Sequence, residues 1–207
     1  MNHQNHRKSL AAIGKEFHTN KWSLGTSSNY SVVLSQNPLQ LLLTASGKDK
    51  GALEQSDFVV VDAGGNVIEG APGKPSAETG LHLLLAQLSN TGAVLHTHSV
   101  WGTVLSDVFA SSGGFFIEGY EMLKGLEGIK SHETKKWIDI FPNNQDISAL
   151  AKLVKTRLDD ASNPTTHGFL IQNHGLYTWG ASLFEARRHI EIFEFLFECV
   201  ALRRMMA

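Results

Sequence analysis

Two histidines end an apolar run in the stretch Ala93-Val94-Leu95-His96-Thr97-His98-Ser99. A short apolar run of this kind is typical of a strand buried inside a sheet. Because side chains alternate between the two faces of a strand, those of His96 and His98 project from the same face. Two imidazoles so placed can chelate one divalent ion, and neutral imidazole nitrogen suits zinc. The stretch therefore predicts a buried strand with a metal site at one end.

The same histidine pair has a second interpretation, as core or edge-strand residues satisfied by hydrogen bonds. Two imidazoles without a ligand at the end of a buried run would be costly, so metal binding is favoured. An open catalytic metal site needs a third protein ligand. We favour His174, which follows an apolar run at residues 169–171 and precedes Gly175, where the backbone can approach closely. His82 lies on a leucine-rich helical segment and is expected to be a packing residue.

Strand-like and helical segments alternate irregularly on both sides of this stretch. The expected strands are residues 31–34, 41–44, 58–62, 67–68, 93–99, 137–141, 169–173 and 176–179. The expected helices are residues 6–19, 76–88, 146–159 and 182–200. A turn at residues 62–66 predicts a hairpin. We expect one domain over residues 1–207, with an α/β fold of three α/β/α layers around a central mixed, largely antiparallel sheet.

Capping residues mark the beginnings of two of these helices. Asp146 is the expected N-cap of the third helix, which runs to about residue 159 and is expected to be closed by Asn163-Pro164. Ser182 and Glu185 have the spacing of a capping box, in which each side chain accepts a hydrogen bond from the backbone N–H of the other residue. The last helix is therefore the most clearly predicted element.

The composition narrows the class of protein. Charged residues make up 18% of the 207 residues, below the roughly 25% of average soluble chains, which favours an oligomer with part of its surface covered. The net charge is −2 without a basic block, which argues against nucleic acid or an anionic membrane as the main partner. No apolar run approaches the ~20 residues that span a bilayer. With one cysteine, Cys199, and no apolar signal segment at the start, a cytoplasmic protein is expected.

Two loops carry the hydroxyl and backbone N–H groups that can cradle a phosphate. The first is Ser27-Ser28-Asn29, and the second is Thr44-Ala45-Ser46-Gly47-Lys48, which adds a cation. Ser76, at the expected N-terminus of a helix, would add a hydroxyl and the positive end of the helix dipole. Ordinary turn chemistry explains either loop taken alone. Neither loop has a nucleotide-binding pattern, so a nucleotide is not indicated.

Two carboxylates are candidates for proton transfer. Glu78 follows Ser76 and, taken alone, is typical of an acidic residue in the first turn of a helix. Glu121 precedes Lys124 and, taken alone, is typical of a surface acid. The residues by themselves leave both roles open.

Six segments of the chain, in the same order, resemble the class II aldolase/adducin family along nearly its whole length. They are Thr26-Ser27-Ser28-Asn29-Tyr30-Ser31, Thr44-Ala45-Ser46-Gly47, Asp57-Phe58-Val59-Val60-Val61-Asp62, Lys74-Pro75-Ser76-Ala77-Glu78, His96-Thr97-His98-Ser99 and Asn173-His174-Gly175. The chain departs from many aldolases at Ser28, where they have Gly, and at Ala77, where they have a second Ser.

The resemblance implies a zinc ion, one per subunit, held by His96, His98 and His174. It also implies a homotetramer with sites near the subunit contacts, and a small sugar phosphate as substrate. The residues expected to bind the phosphate group are Ser28, Asn29, Ser46, Gly47, Lys48 and Ser76.

Within the family, Glu121-Met122-Leu123-Lys124-Gly125 followed by Asn144-Gln145-Asp146 is similar to the dehydratases of methionine salvage. This similarity implies loss of water from 5-methylthioribulose 1-phosphate, with Glu121 as the acid/base. In the aldolases the Glu of the Pro-Ser-x-Glu segment, here Glu78, is the acid/base or a further metal ligand. Both carboxylates are present, so the division of roles stays open.

Two alternatives to dehydration follow from the same resemblance. One is aldol cleavage or epimerisation of another sugar phosphate, of the fuculose or ribulose type. The other is a non-enzymatic scaffold, as in adducin-like relatives that lack the metal histidines. All three histidines are present here, which disfavours the scaffold.

Overall fold

The computed structural model describes residues 3–70, 74–162 and 165–206. Within these ranges the strands are β1 (Asn29–Gln36), β2 (Leu39–Thr44), β3 (Phe58–Asp62), β4 (Val67–Gly70), β5 (Ala93–Thr97), β6 (Gly114–Ile117), β7 (Lys136–Phe141), β8 (Gly168–Ile171) and β9 (Gly175–Gly180). The helices are α1 (Gln4–Thr19), α2 (Thr79–Ala86), α3 (Val100–Val108), α4 (Ile147–Leu158) and α5 (Leu183–Met206). No helix in the described ranges is both long enough and apolar enough to cross a membrane.

All these strands join one sheet in the order β4-β3-β2-β1-β5-β9-β8-β7-β6. Neighbouring strands run antiparallel except for β7 and β8, which are parallel. The expected mixed, largely antiparallel sheet is therefore confirmed. The hairpin predicted around residues 62–66 is also present, because β3 pairs with β4. The histidine-bearing strand β5 lies at the centre of the sheet, between β1 and β9.

Helices cover both faces of the sheet, as the three-layer prediction requires. Side chains of α1, α3 and α5 form one apolar cluster that includes Leu95 of β5. Side chains of α2 and α4 form another, which includes Val94 of β5. Neighbouring residues of β5 thus enter opposite clusters, as the two-residue repeat of a strand dictates. His96 has the parity of Val94, which directs its side chain toward the α2 face.

The predicted caps are present, with one change of partner. The side chain of Asp146 accepts a hydrogen bond from the Ala149 N–H at 3.0 Å, and it caps α4 as expected. The Ser182 hydroxyl accepts from the Glu185 N–H at 3.2 Å, but the Glu185 carboxylate accepts from Ala181 rather than Ser182. Helix α4 ends at Leu158, and the Asn163-Pro164 pair lies outside the described residues.

The second helix begins later than the sequence indicates. The sequence predicts a start at residue 76, whereas α2 begins at Thr79 with Glu78 as the N-cap. The chain before it is held by the residues that follow β2: Pro75 forms an isolated bridge with Ala45, and Ser46 N–H donates to Lys74 O at 2.9 Å. This pairing keeps the segment extended, so Ser76 precedes the helix instead of starting it. The elements α3 and β6 are present without having been predicted.

Candidate metal centre and anion pocket

His96 is fixed by both neighbouring strands. Its Cα is paired with that of Asn29 on β1 and with that of Tyr177 on β9. Its ring stacks on Tyr177 with centroids 4.0 Å apart, and its Nδ1 lies 2.9 Å from the Leu176 carbonyl oxygen. A carbonyl can only accept, so Nδ1 carries the proton and Nε2 offers its lone pair. Such a bond to the second nitrogen is characteristic of metal-binding histidines.

Three imidazole nitrogens converge at this point. The Nε2 atom of His96 lies 2.8 Å from that of His98 and 3.4 Å from that of His174. The Glu78 carboxylate closes the group, with Oε2 3.6 Å from His96 Nε2 and Oε1 3.5 Å from His174 Nε2. The ligand atoms of all four residues lie within 4.8 Å of one another. The structure thus joins the three predicted histidines and adds Glu78 to them.

The protonation states of His96 and His98 suit cation binding. Burial holds the pKa of His96 well below its usual range, and the neighbouring His174 lowers it further. Burial, then His96 and His174, lower the pKa of His98 to about 2. Both rings are therefore neutral at neutral pH, which is the form that binds a metal. Three imidazoles and one carboxylate form a donor set that fits a divalent metal ion.

Gly175 lets β9 approach β5 beside the candidate metal ligands. A Cβ atom at residue 175 would lie 2.0 Å from the Thr97 carbonyl oxygen and 3.1 Å from Cε1 of the His96 ring. No rotamer change removes a clash with backbone. The glycine therefore sets the spacing that brings His174 to His96, as the sequence suggested.

We expect Gly175→Ala to lower both metal content and thermal stability. Overpacking of this kind costs about 1–3 kcal/mol, and it would push His96 away from His174. Elemental analysis and thermal unfolding would measure the two effects. Gly80→Ala is the matched control, since its Cβ would meet only Ile147 at 3.4 Å. Full metal occupancy in Gly175→Ala would show that the close approach does not set the site.

The predicted phosphate loops meet in a cavity of about 170 Å³. It lies next to the group of Glu78, His96, His98 and His174, here called the metal cluster. Ser28 and Gly47 both have positive φ, at 72° each, so that these loops turn sharply around the cavity. The lining residues are Thr26, Ser27, Ser28, Asn29, Ala45, Ser46, Gly47, Lys50, Ser76, Ala77, Glu78 and His98. Glu78 and His98 belong to this wall and to the metal cluster alike. The two sites therefore form one continuous surface.

The cation of this cavity differs from the one expected. The Lys48 ammonium forms an ion pair with Asp57 at 2.8 Å and does not line the cavity, so its predicted role is not supported by the geometry. Lys50 lines it instead and is only 1% exposed, with Nζ donating to Lys48 O at 2.7 Å and to Thr26 O at 3.3 Å. Burial lowers the pKa of Lys50 to about 8, which leaves it mostly cationic at neutral pH.

Glu121 lies apart from the cluster. It begins a short 3-10 helix, Glu121–Gly125, and its side chain is 71% exposed. Among the described residues its ion-pair partners are Lys124 and His132, neither of which belongs to the metal cluster. The hydrogen bond from Lys124 lowers the pKa of Glu121. Within a single chain, therefore, Glu78 lies beside the predicted metal ligands and Glu121 does not.

His82 makes polar contacts that the sequence interpretation missed. It is fully buried and hydrogen-bonds Asn29 and Ser31, so it is more than the packing residue expected. Its position four residues after Glu78 is the signal that could have revealed it, because such residues share a helix face.

Comparison with known proteins finds relatives along nearly the whole chain. Methylthioribulose-1-phosphate dehydratase of Pseudomonas syringae pv. tomato is 49% identical over 192 residues, which cover 92% of this chain and 91% of that protein. The enzyme of the same name from Azotobacter vinelandii is 47% identical, over 93% and 91% of the two chains.

Solved structures show the same fold. An L-fuculose 1-phosphate aldolase superposes with a TM-score of 0.77 at 23% identity, covering 99% of this chain and 88% of that one. The L-fuculose-1-phosphate aldolase from Thermus thermophilus gives 0.75 at 19% identity, over 96% and 95%. The family model named Class II Aldolase and Adducin N-terminal domain matches residues 8–201, nearly the whole chain. The chain therefore belongs to the class II aldolase and adducin family.

Proposed function

We propose that this chain, acting as one domain, is a metal-dependent lyase of methionine salvage. It removes water from 5-methylthioribulose 1-phosphate and yields 2,3-diketo-5-methylthiopentyl 1-phosphate. The observation that carries the proposal is the shared wall of the metal cluster and the anion pocket, formed by Glu78 and His98. A sugar phosphate whose carbonyl and phosphate group lie close together fits that surface. The identity of nearly half the residues with proteins named as this dehydratase supports the choice of substrate.

The metal that we propose is zinc, with His96, His98 and His174 as its ligands. Zinc accepts three histidines and keeps a further position for substrate, which the donor set here allows. When bound, such an ion acts as a Lewis acid on the substrate's C2 carbonyl and increases the acidity of the C3 proton. Glu78 lies next to two of the histidines and would orient them or add a ligand.

The phosphate group would occupy the cavity formed by the two loops. Asn29, Ser46 and Ser76 supply polar groups there, and Lys50 supplies the positive charge. A second cavity, of about 230 Å³, also borders Glu78 and is lined in part by Ile147 and Leu150. We propose that this cavity receives the methylthio end.

The acid/base that we propose is Glu121, supplied by a neighbouring copy of the chain. It would take the C3 proton and deliver a proton to the departing C4 hydroxyl, so that water leaves and the product tautomerises to the diketone. Because Glu121 is exposed and outside the cluster of its own chain, this role requires an oligomer, and we propose a homotetramer.

The location that we propose is the cytoplasm, which agrees with the free thiol of Cys199.

A second candidate function is aldol cleavage or epimerisation. It is favoured by Glu78, which lies inside the cluster where the aldolase pattern would place its acid/base. Turnover assays with 5-methylthioribulose 1-phosphate, fuculose 1-phosphate and ribulose 5-phosphate would separate the two functions. We expect turnover of the first alone. Turnover of either other sugar phosphate without the first would replace the proposal by its alternative.

Substitution of Asn29, Ser46 or Ser76 by Ala should raise KM with a smaller change in kcat. Phosphate anchoring is shared by the ground and transition states, so its loss appears in KM. A hydrogen bond to a charged group contributes about 1.5–3 kcal/mol, which predicts a roughly tenfold to hundredfold increase. Lys48→Ala is the control, because that ammonium pairs with Asp57. Steady-state kinetics of the four variants would check this, and unchanged constants throughout would place the phosphate elsewhere.

The kcat/KM should fall as the pH rises through about 8. Lys50 carries its charge below its pKa of about 8 and loses it above, so attraction for the phosphate weakens on the alkaline side. The profile of kcat/KM reports the free enzyme. Lys50→Arg keeps the charge at all accessible pH values and should shift this decline to higher pH. An identical alkaline decline in the Arg variant would assign it to another group.

A further inference from the structure

A buried chain of hydrogen bonds connects helix α2 to the anion pocket. His82 Nδ1 lies 2.7 Å from the Ser31 hydroxyl, and His82 Nε2 bonds the Asn29 side-chain oxygen Oδ1. The amide nitrogen of Asn29 then donates to Glu78 Oε2 at 2.7 Å and to Ser76 Oγ at 3.0 Å. His82 is fully buried and Asn29 is 4% exposed, so water does not compete for these bonds.

The orientation of the Asn29 amide decides which groups donate and which accept in this series of hydrogen bonds. An amide has a donor end and an acceptor end of nearly the same shape, so sterics alone do not choose between them. If the amide turned over, its oxygen would face the Glu78 carboxylate, and two acceptors would stand 2.7 Å apart. The oxygen must therefore face His82, and His82 must donate to it through Nε2–H.

The tautomer of His82 follows from the same bonds. Burial lowers the pKa of His82 to about 4, so the ring is neutral near pH 7 and carries one proton. With that proton on Nε2, Nδ1 is an acceptor, and the Ser31 hydroxyl donates to it. Both ring nitrogens of His82 then face a partner of the right kind.

Ser76 is set as a donor by this arrangement. Its oxygen accepts from the Asn29 amide at 3.0 Å and from the Glu78 N–H at 3.2 Å. Both lone pairs of the hydroxyl are thus used, and its proton is left to point into the cavity that Ser76 lines. A proton donor at that place is what a phosphate oxygen requires.

We propose that His82 is a positioning residue: as the neutral Nε2–H tautomer it fixes the Asn29 amide, which orients Glu78 and leaves Ser76 to donate to the substrate's phosphate group. The substrate in this statement rests on the proposed function. The tautomer and the orientation of Asn29 do not, because they follow from bonds within the chain.

A double-mutant cycle tests whether His82 acts through Asn29. His82→Phe keeps a ring of similar size but removes the donor, and we expect a loss of kcat/KM of about tenfold or more, mainly in KM. In the Asn29→Ala background the same change should have little further effect, since coupled residues are not additive. His82→Gln, whose amide can donate, should recover part of the loss. Additive losses, or wild-type kinetics in His82→Phe, would overturn the proposal.

His189→Phe controls for the loss of a buried histidine. His189 is 2% exposed and bonds Trp179 O at 2.8 Å, outside the cluster and the pocket. Its replacement should lower the unfolding temperature comparably and leave kcat/KM near wild type. An equal loss of kcat/KM in both variants would make the His82 effect a general consequence of destabilisation.

Nitrogen NMR of the unmodified protein reads the tautomer directly and needs neither substrate nor a folded variant. We expect the His82 ring to be neutral with its proton on Nε2. A proton on Nδ1, or a doubly protonated ring, would overturn the proposal. If instead the tautomer is Nε2–H while 5-methylthioribulose 1-phosphate is not turned over, the proposed function fails and the positioning of Asn29 stands.

Discussion

His96→Ala should yield a folded protein that has lost stoichiometric metal and nearly all turnover. The variant removes the most buried ligand of the cluster, whose Nε2 faces those of both other histidines. A Lewis-acid metal contributes several kcal/mol to the stabilisation of transition-state charge. At about 1.36 kcal/mol per tenfold change in rate, the loss should be on the order of 10³-fold or more. Elemental analysis and kcat of the purified variant would measure both.

His6→Ala is the control for this variant, since His6 is an exposed residue of α1 and not a member of the cluster. It should keep both metal and turnover. Stoichiometric metal and full activity in His96→Ala would refute the metal assignment.

Glu121→Gln should lower kcat by roughly the 10²–10⁴-fold typical of an acid–base group and leave metal content unchanged. The amide keeps the shape of the side chain but cannot accept the C3 proton. Glu78→Gln should act differently, because the Glu78 carboxylate lies 3.6 Å from His96 Nε2 and 3.5 Å from His174 Nε2. We expect metal affinity to fall by about 10- to 100-fold, as for other groups that support metal ligands. Turnover and bound metal, measured for both variants, distinguish the two roles.

A fully active Glu121→Gln beside an inactive Glu78→Gln would overturn the choice of acid/base and favour the aldolase mechanism. Mixing Glu121→Gln with His96→Ala tests the contribution from a neighbouring copy. If a site combines Glu121 of one copy with His96 of another, mixed oligomers contain some intact sites and regain activity. Mixtures that contain both chains in one oligomer and stay inactive would contradict this arrangement.

The sequence predicts the shared face of His96 and His98 because a short-range rule determines it. Strand alternation places His96 and His98 on one face, and the glycine after His174 permits the close approach of β9 to β5. The layers and the mixed sheet follow from apolar periodicity in the same way. The capping of α4 by Asp146 is equally local, and it is present as predicted.

Long-range contacts decide what the sequence does not show. The start of α2 is delayed because residues 74–75 pair with Ala45 and Ser46, which lie far away in sequence. The cation of the pocket is Lys50 rather than Lys48, since Asp57 takes the Lys48 ammonium and a short 3-10 helix buries Lys50. Neither outcome is a property of the loop residues alone.

The surroundings of two further residues, His82 and Glu121, also lie beyond short-range rules. The role of His82 depends on a tautomer set by Asn29 and Ser31, which are distant in sequence. Glu121 lies outside the cluster of its own chain, so no reasoning about one chain can bring it to the metal. Subunit contacts would have to supply that proximity.

Mass spectrometry of the product formed from 5-methylthioribulose 1-phosphate tests the central claim most directly. Elimination predicts one phosphorylated product that is lighter than the substrate by the mass of one water, formed by the metal-loaded protein and not by His96→Ala. Cleavage between C3 and C4 would instead give dihydroxyacetone phosphate and a methylthio aldehyde, and epimerisation would leave the mass unchanged. Either of those results, or no reaction with the metal-loaded protein, would contradict the account.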